Sequence, residues 1–96
     1  MRTKTIGRAA RKYIVKGRVQ GVGYRAFVQY AAGAVGVRGW ARNCDDGSVE
    51  VYAAGSPEQL SELCGYLWKG PRASDVRQID EKAAAVEEWV DFQIRY

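Results

Sequence analysis

The sequence contains no histidine, only two cysteines and two prolines, and no acidic residue before Asp45. The missing histidine removes the commonest general base, the commonest metal ligand and any Ser-His or Cys-His nucleophile pair. Cys44 and Cys64 are too few for a disulfide framework and read as reduced thiols of a cytoplasmic protein. With carboxylates as the only other ligands, a zinc site is a weak reading, and neither a metal nor a cofactor is expected. Eleven glycines without a period exclude a collagen-like chain. No apolar run approaches the roughly 18 residues of a membrane span. The first fifteen residues are basic but have no apolar middle and no small-residue cleavage site, so no secretory signal is expected.

What is present fits one globular domain. The 96 residues are 47% hydrophobic and 27% charged, a mix that can close a single core. The net charge of +4 conceals a division. Residues 1–44 hold ten Lys/Arg and no acid; the remainder holds five Lys/Arg and all eleven acids. A basic half-chain points to an anionic partner, either a small phosphate or a nucleic-acid backbone.

Residues 1–11 read as a basic flexible tail and 12–96 as a single domain. Tyr13, Val15, Gly17 and Val19 alternate with Ile14, Lys16 and Arg18, the period of a strand. Phe27, Tyr30, Ala31, Ala34 and Val35 have helical spacing and are taken as an apolar face, with Gly36 as the stop. Val37–Asn43 and Ser48–Ala54 read as a hairpin turned at Asp46-Gly47. A second helix begins at Ser56-Pro57, with Gln59 completing a capping box, and presents Leu60, Leu63, Cys64, Leu67 and Trp68 until Gly70-Pro71. Ser74–Lys82 has a weaker strand pattern, residues 83–89 are ambiguous, and Asp91–Tyr96 ends in a short strand. The order is βαββαβ with a short C-terminal fifth strand. Two one-faced helices must cover one side of a mixed or antiparallel sheet, which is the α+β, ferredoxin-like, split βαβ sandwich.

The segment Gly17-Arg18-Val19-Gln20-Gly21-Val22-Gly23-Tyr24-Arg25 runs from a strand into a helix. Its glycines let a ligand approach the main chain, consecutive N–H groups can converge on an anion, and the helix adds its positive end. Arg25, a cation in the first helical turn, has a reason to be there if a phosphate binds. Spacing alone leaves a plain glycine loop with an exposed arginine equally open, and the segment is neither a P-loop nor a dinucleotide fingerprint. Gln20 can brace the loop by hydrogen bonds. Asn43, just before the hairpin turn, reads either as a site residue or as an ordinary turn asparagine. Arg38 and Arg42 read as a solvated strand face, and Asp45, Asp46 and Glu50 as the hairpin and its solvent side.

The stretches Gly17–Arg25, Gly36–Asn43 and Asp46–Glu50, with Gly70-Pro71 and the closing Phe92–Tyr96, resemble the acylphosphatase family over roughly residues 12–96. The resemblance implies a small monomeric, cytoplasmic hydrolase that cleaves acyl phosphates without metal or cofactor and also binds inorganic phosphate or sulfate. It places the phosphate-binding loop on Gly17, Arg18, Val19, Gln20, Gly21, Val22, Gly23 and Arg25, the catalytic arginine on Arg25 and the water-positioning asparagine on Asn43. A base-stacking RNA module shares the element order, but its Lys/Arg-Gly-Phe/Tyr-Gly/Ala-Phe-Val signature is absent, so neither nucleic acid nor membrane is an expected partner.

Overall fold

A computed structural model gives the conformation of residues 8–96, and the expected tail over residues 1–7 lies outside the described residues. The elements are β1 (Ala9–Arg18), α1 (Tyr24–Val35), β2 (Arg38–Asn43), β3 (Val49–Gly55), α2 (Pro57–Lys69), β4 (Asp75–Ala84) and β5 (Phe92–Arg95). They match the expected order. β1 begins at Ala9, three residues before the expected domain start, because Ala9, Ala10 and Arg11 pair with Gly55, Ala54 and Ala53 of β3. Of the ambiguous stretch, residues 83 and 84 continue β4 and the rest has no regular structure.

The five strands form one sheet in the order β4-β1-β3-β2-β5. All neighbours are antiparallel except β2 and β5, which run parallel. β3 is therefore flanked by β1 and β2, both antiparallel to it, and β1, β2 and β5 all end at the same edge of the sheet. Alternation sends Tyr13 and Val15 of β1 and Val49, Val51 and Ala53 of β3 to one face, where they meet both helices in the main core.

The buried stripe of α1 differs from the expected one. Tyr24, Val28, Ala31 and Ala32 are buried, with Phe27 and Val35 half-buried beside them, while Ala34 is exposed and Tyr30 is 79% exposed. The helix starts at Tyr24, and a stripe begun there keeps the same i, i+4, i+7, i+8 spacing as one begun at Phe27. Two overlapping stripes fit the pattern; packing selects the one that carries Tyr24. In α2 the expected Leu60, Leu63 and Leu67 are buried, but Trp68 is half-exposed and Tyr66 takes the helix–helix contact, edge-on to Phe27 at 6.5 Å. The capping box at Ser56 and Gln59 forms as expected.

Tyr24 also solves a hydrogen-bond problem at the end of α2. The Leu67 carbonyl would normally accept from the N–H four residues on, but that residue is Pro71, which has none. The Tyr24 hydroxyl donates to it instead at 2.7 Å. Burial pushes this phenol well above the ordinary tyrosine range.

Two outcomes follow for unfolding experiments. Tyr24→Phe leaves that buried carbonyl short of a donor and should destabilise by about 1–3 kcal/mol, measured as a lower urea midpoint with unchanged m. At Gly33, inside α1, an added methyl would meet nothing within 4 Å, so Gly33→Ala should stabilise by about 0.5–1 kcal/mol and raise the melting temperature by several degrees.

Candidate active site

The edge where β1 and β2 end carries a cleft of about 230 Å³ lined by Val19, Gly21, Gly23, Tyr24, Arg25, Ala26, Asn43, Ile94 and Tyr96. Segments far apart in sequence meet here because of strand direction. β1 delivers the glycine turn, β2 delivers Asn43, and β5, parallel to β2, delivers Ile94 and Tyr96.

The turn itself is shaped by two left-handed residues, Gly21 at φ 73° and Gly23 at φ 78°, a conformation that side-chain-bearing residues adopt only with strain. Gly23 also serves as the N-cap of α1, and neither a side-chain cap nor an acid occupies the first turn. α2 is the opposite case, with its start closed by Ser56, Gln59 and Glu58. The open end of α1 directs free N–H groups and the positive end of its dipole toward the cleft. Val19 is buried beneath the turn.

Arg25 is held in place from β5. Its Nη1 donates to the Arg95 carbonyl at 2.8 Å, and its guanidinium lies 4.7 Å from the centroid of the Tyr96 ring. No acidic residue lines the cleft. Asn43 lines the same cleft, exposed, at the last register position of β2 opposite Val49.

The expected site residues thus divide. Val19, Gly21, Gly23, Arg25 and Asn43 share the cleft, and Gly17, Arg18, Gln20 and Val22 do not line it. Gly17 lies at a bulge in the β1–β4 ladder, at φ 131°, where a Cβ would run into the Asp75 carbonyl. Glycine is required there by strand pairing. Arg18 is exposed and pairs with Asp75 at the end of the same ladder. Val22 packs against the main core. The Gln20 carboxamide reaches the β2–β3 hairpin, donating to the Cys44 and Ser48 carbonyls. Tyr24, Ala26, Ile94 and Tyr96 are cleft residues the sequence reading did not single out. Only the parallel pairing of β5 with β2 places the last two, and a four-residue strand carries no signal of its partner.

A larger hollow of about 320 Å³ lies at the other end of β2, with Arg8, Arg38, Ser56 and Gln59 on its walls. Size would favour it, but chemistry favours the smaller cleft. At the larger one the helix end is already occupied by its capping box, and Gln59 is committed to Ser56 and the Val35 carbonyl.

The sheet face away from the helices is closed as well. Trp40 stacks on Tyr52 with ring centroids 6.0 Å apart, and Lys12 and Arg95 lie over it at 5.9 and 4.9 Å. Trp40 and Tyr52 are buried, which leaves no aromatic platform for stacking bases. Glu50, expected on a solvent side, is only 8% exposed. Arg42 grips it through Nε at 2.7 Å, and Lys12 lies 3.6 Å from its other oxygen. The cross-strand neighbours fold over the carboxylate and exclude water. Among the described residues, no cluster of three Cys, Asp or Glu could hold a metal ion, and no helix is long and apolar enough to cross a membrane.

Comparison with known proteins bears on the family and the fold. The acylphosphatase family model matches residues 11–94. An acylphosphatase of Solibacter usitatus is 59% identical over 86 residues, covering 90% of both chains. The solved acylphosphatase of Coxiella burnetii superposes with a TM-score of 0.93 at 32% identity, over 99% of this chain and 100% of that one. That of Bacillus subtilis gives 0.88 at 38% identity, over 91% and 98%. A chain that carries this fold, this cleft and this extent of shared sequence belongs to the acylphosphatase family and is a hydrolase.

Proposed function

We propose that the protein hydrolyses the carboxyl–phosphate bond of small acyl phosphates by in-line attack of water on a phosphoryl group gripped by the glycine turn and Arg25. One observation supports this reading. The uncapped start of α1, Arg25 and Asn43 line a single cleft.

Each part has a physical task. An acyl phosphate leaves as a carboxylate whose conjugate acid has a pKa of about 4, so no general acid is needed. What remains is positioning and charge stabilisation along an in-line path. The amides of the turn and of the first α1 residues donate to the phosphoryl oxygens, and the guanidinium favours the charge that develops on them. Its tether to the Arg95 carbonyl removes rotamer freedom before substrate arrives. The Asn43 side-chain oxygen accepts a hydrogen bond from water and aims its lone pair at phosphorus. The water's proton passes to a phosphoryl oxygen of the substrate itself. Inorganic phosphate, the product, occupies the same grip. A monomer is in keeping with a chain that closes its own core, and the two free cysteines suit the cytoplasm.

The decisive assay is hydrolysis of benzoyl phosphate in the presence of EDTA. Arg25→Ala should remove most of the rate and most of the affinity for inorganic phosphate. Asn43→Ala should lower kcat on the order of 10²–10³-fold and leave phosphate inhibition nearly unchanged. Wild-type turnover by Asn43→Ala would refute the role given to that side chain.

The pH profile supplies a separate check. The titratable side chains lining the cleft are Tyr24, Arg25 and Tyr96. Burial raises the Tyr24 phenol, which extends its neutral form to higher pH. Rates measured from about pH 5.5 to 8 should follow only the ionisation of the substrate, because no carboxylate, thiol or imidazole side chain is among those lining the cleft. A bell with an enzyme limb near neutrality would contradict the proton route.

A further inference from the structure

We propose that Gln20 is a positioning residue that fixes the distance between the phosphate grip and the water-aiming asparagine. The inference rests on the acyl-phosphate reading above. Gln20 lies in the middle of the glycine turn, between Val19 and Gly21, both of which line the cleft. Its side chain turns out of the cleft lining and reaches the β2–β3 hairpin. Both hydrogens of its Nε2 are donated, one to the Cys44 carbonyl at 2.8 Å and one to the Ser48 carbonyl at 2.9 Å. These two carbonyls bracket the tip of the β2–β3 hairpin, and Cys44 follows Asn43 directly.

The hairpin does not need these bonds to satisfy its own backbone. The Ser48 carbonyl already accepts from the Cys44 N–H at 2.9 Å, and the Cys44 carbonyl from the Gly47 N–H at 3.2 Å. Asp46 closes the tip further, its Oδ1 accepting from the Ser48 N–H and hydroxyl. Each carbonyl therefore uses its second lone pair for Gln20. Removing the amide orphans neither acceptor, so the two bonds contribute mainly to the relation between two segments 24 and 28 residues apart.

That relation is what an in-line reaction depends on. β1 and β2 are not neighbours; β3 separates them. Apart from Gln20, the glycine turn and the Asn43 hairpin are coupled through β3 and through α1, which packs against β2 and β5, so the carboxamide is the direct tie between them. A misplacement of about 1 Å between attacking water and phosphorus is enough to lower a rate by about 100-fold. The carboxamide spans the gap directly and holds both segments to one distance.

The test uses Gln20→Met, which keeps the length and loses both donors, and Gln20→Glu, which sets a carboxylate against two carbonyls. Three measurements are needed: kcat and KM for benzoyl phosphate, competitive inhibition by inorganic phosphate, and backbone ¹⁵N relaxation of residues 43–48. Gln20→Met should lower kcat about 10–100-fold, shift phosphate inhibition less than about threefold, raise the mobility of residues 43–48 and leave the melting temperature within a few degrees. Gln20→Glu should be slower still. Unchanged kcat with unchanged relaxation at 43–48 overturns the proposal. A parallel fall in kcat and phosphate affinity overturns it too, and returns Gln20 to the phosphate grip. If wild-type protein fails to hydrolyse benzoyl phosphate, the acyl-phosphate reading falls; relaxation then judges the tie alone, increased mobility at 43–48 supporting it and no change overturning it.

Discussion

Antiparallel pairing of β3 with both β1 and β2 is the constraint from which the site follows. Two strands antiparallel to a common neighbour run in the same direction, so their C-terminal ends share one edge of the sheet. The glycine turn leaves β1 at that edge, and Asn43 ends β2 there. β5 joins β2 in parallel and brings its last residues to the same place. A one-residue slip of β2 against β3 would turn Asn43 to the opposite face. The registers are held because Val49, Val51 and Ala53 must face the helices, and a slip would carry all three out of the core.

The two helices divide their electrostatic roles. α2 closes its own N-terminus with a hydroxyl, a carboxamide, a proline and an acid, which makes it self-sufficient. α1 begins on a left-handed glycine and leaves its first amides without side-chain partners. A glycine N-cap in place of a side-chain cap costs only a few tenths of a kcal/mol. The open end lies beside Arg25 in the cleft lining, where the proposed function gives it a bound phosphoryl group as partner. The acylphosphatase family to which the chain belongs gives that open end its context.

The opposite face of the sheet shows how the basic half-chain is spent. Lys12 and Arg42 converge on Glu50, Lys12 and Arg95 cover Trp40, and Lys16 reaches Asp80. Four of the basic residues of the first half, Arg11, Lys12, Lys16 and Arg42, are paired across strands with acids from the second half of the chain. Arg25 differs, since its tether is a backbone carbonyl rather than a carboxylate, and its full charge stays available to the cleft.

The sequence by itself determined the element order, both hairpin strands, the capped start of α2, and the presence of Arg25 and Asn43 at element ends. Those features rest on short-range spacing and turn chemistry, which act between residues a few positions apart. The stripe of α1, the burial of Glu50, the departure of Gly17 from the cleft and the arrival of Ile94 and Tyr96 were decided only by the tertiary structure. Each depends on which distant strand lies alongside: Asp75 against Gly17, Lys12 and Arg42 around Glu50, β2 beside β5. A strand's hydrogen-bonding edges carry no label for their partner. Packing of the whole core chooses among pairings that local sequence leaves equal.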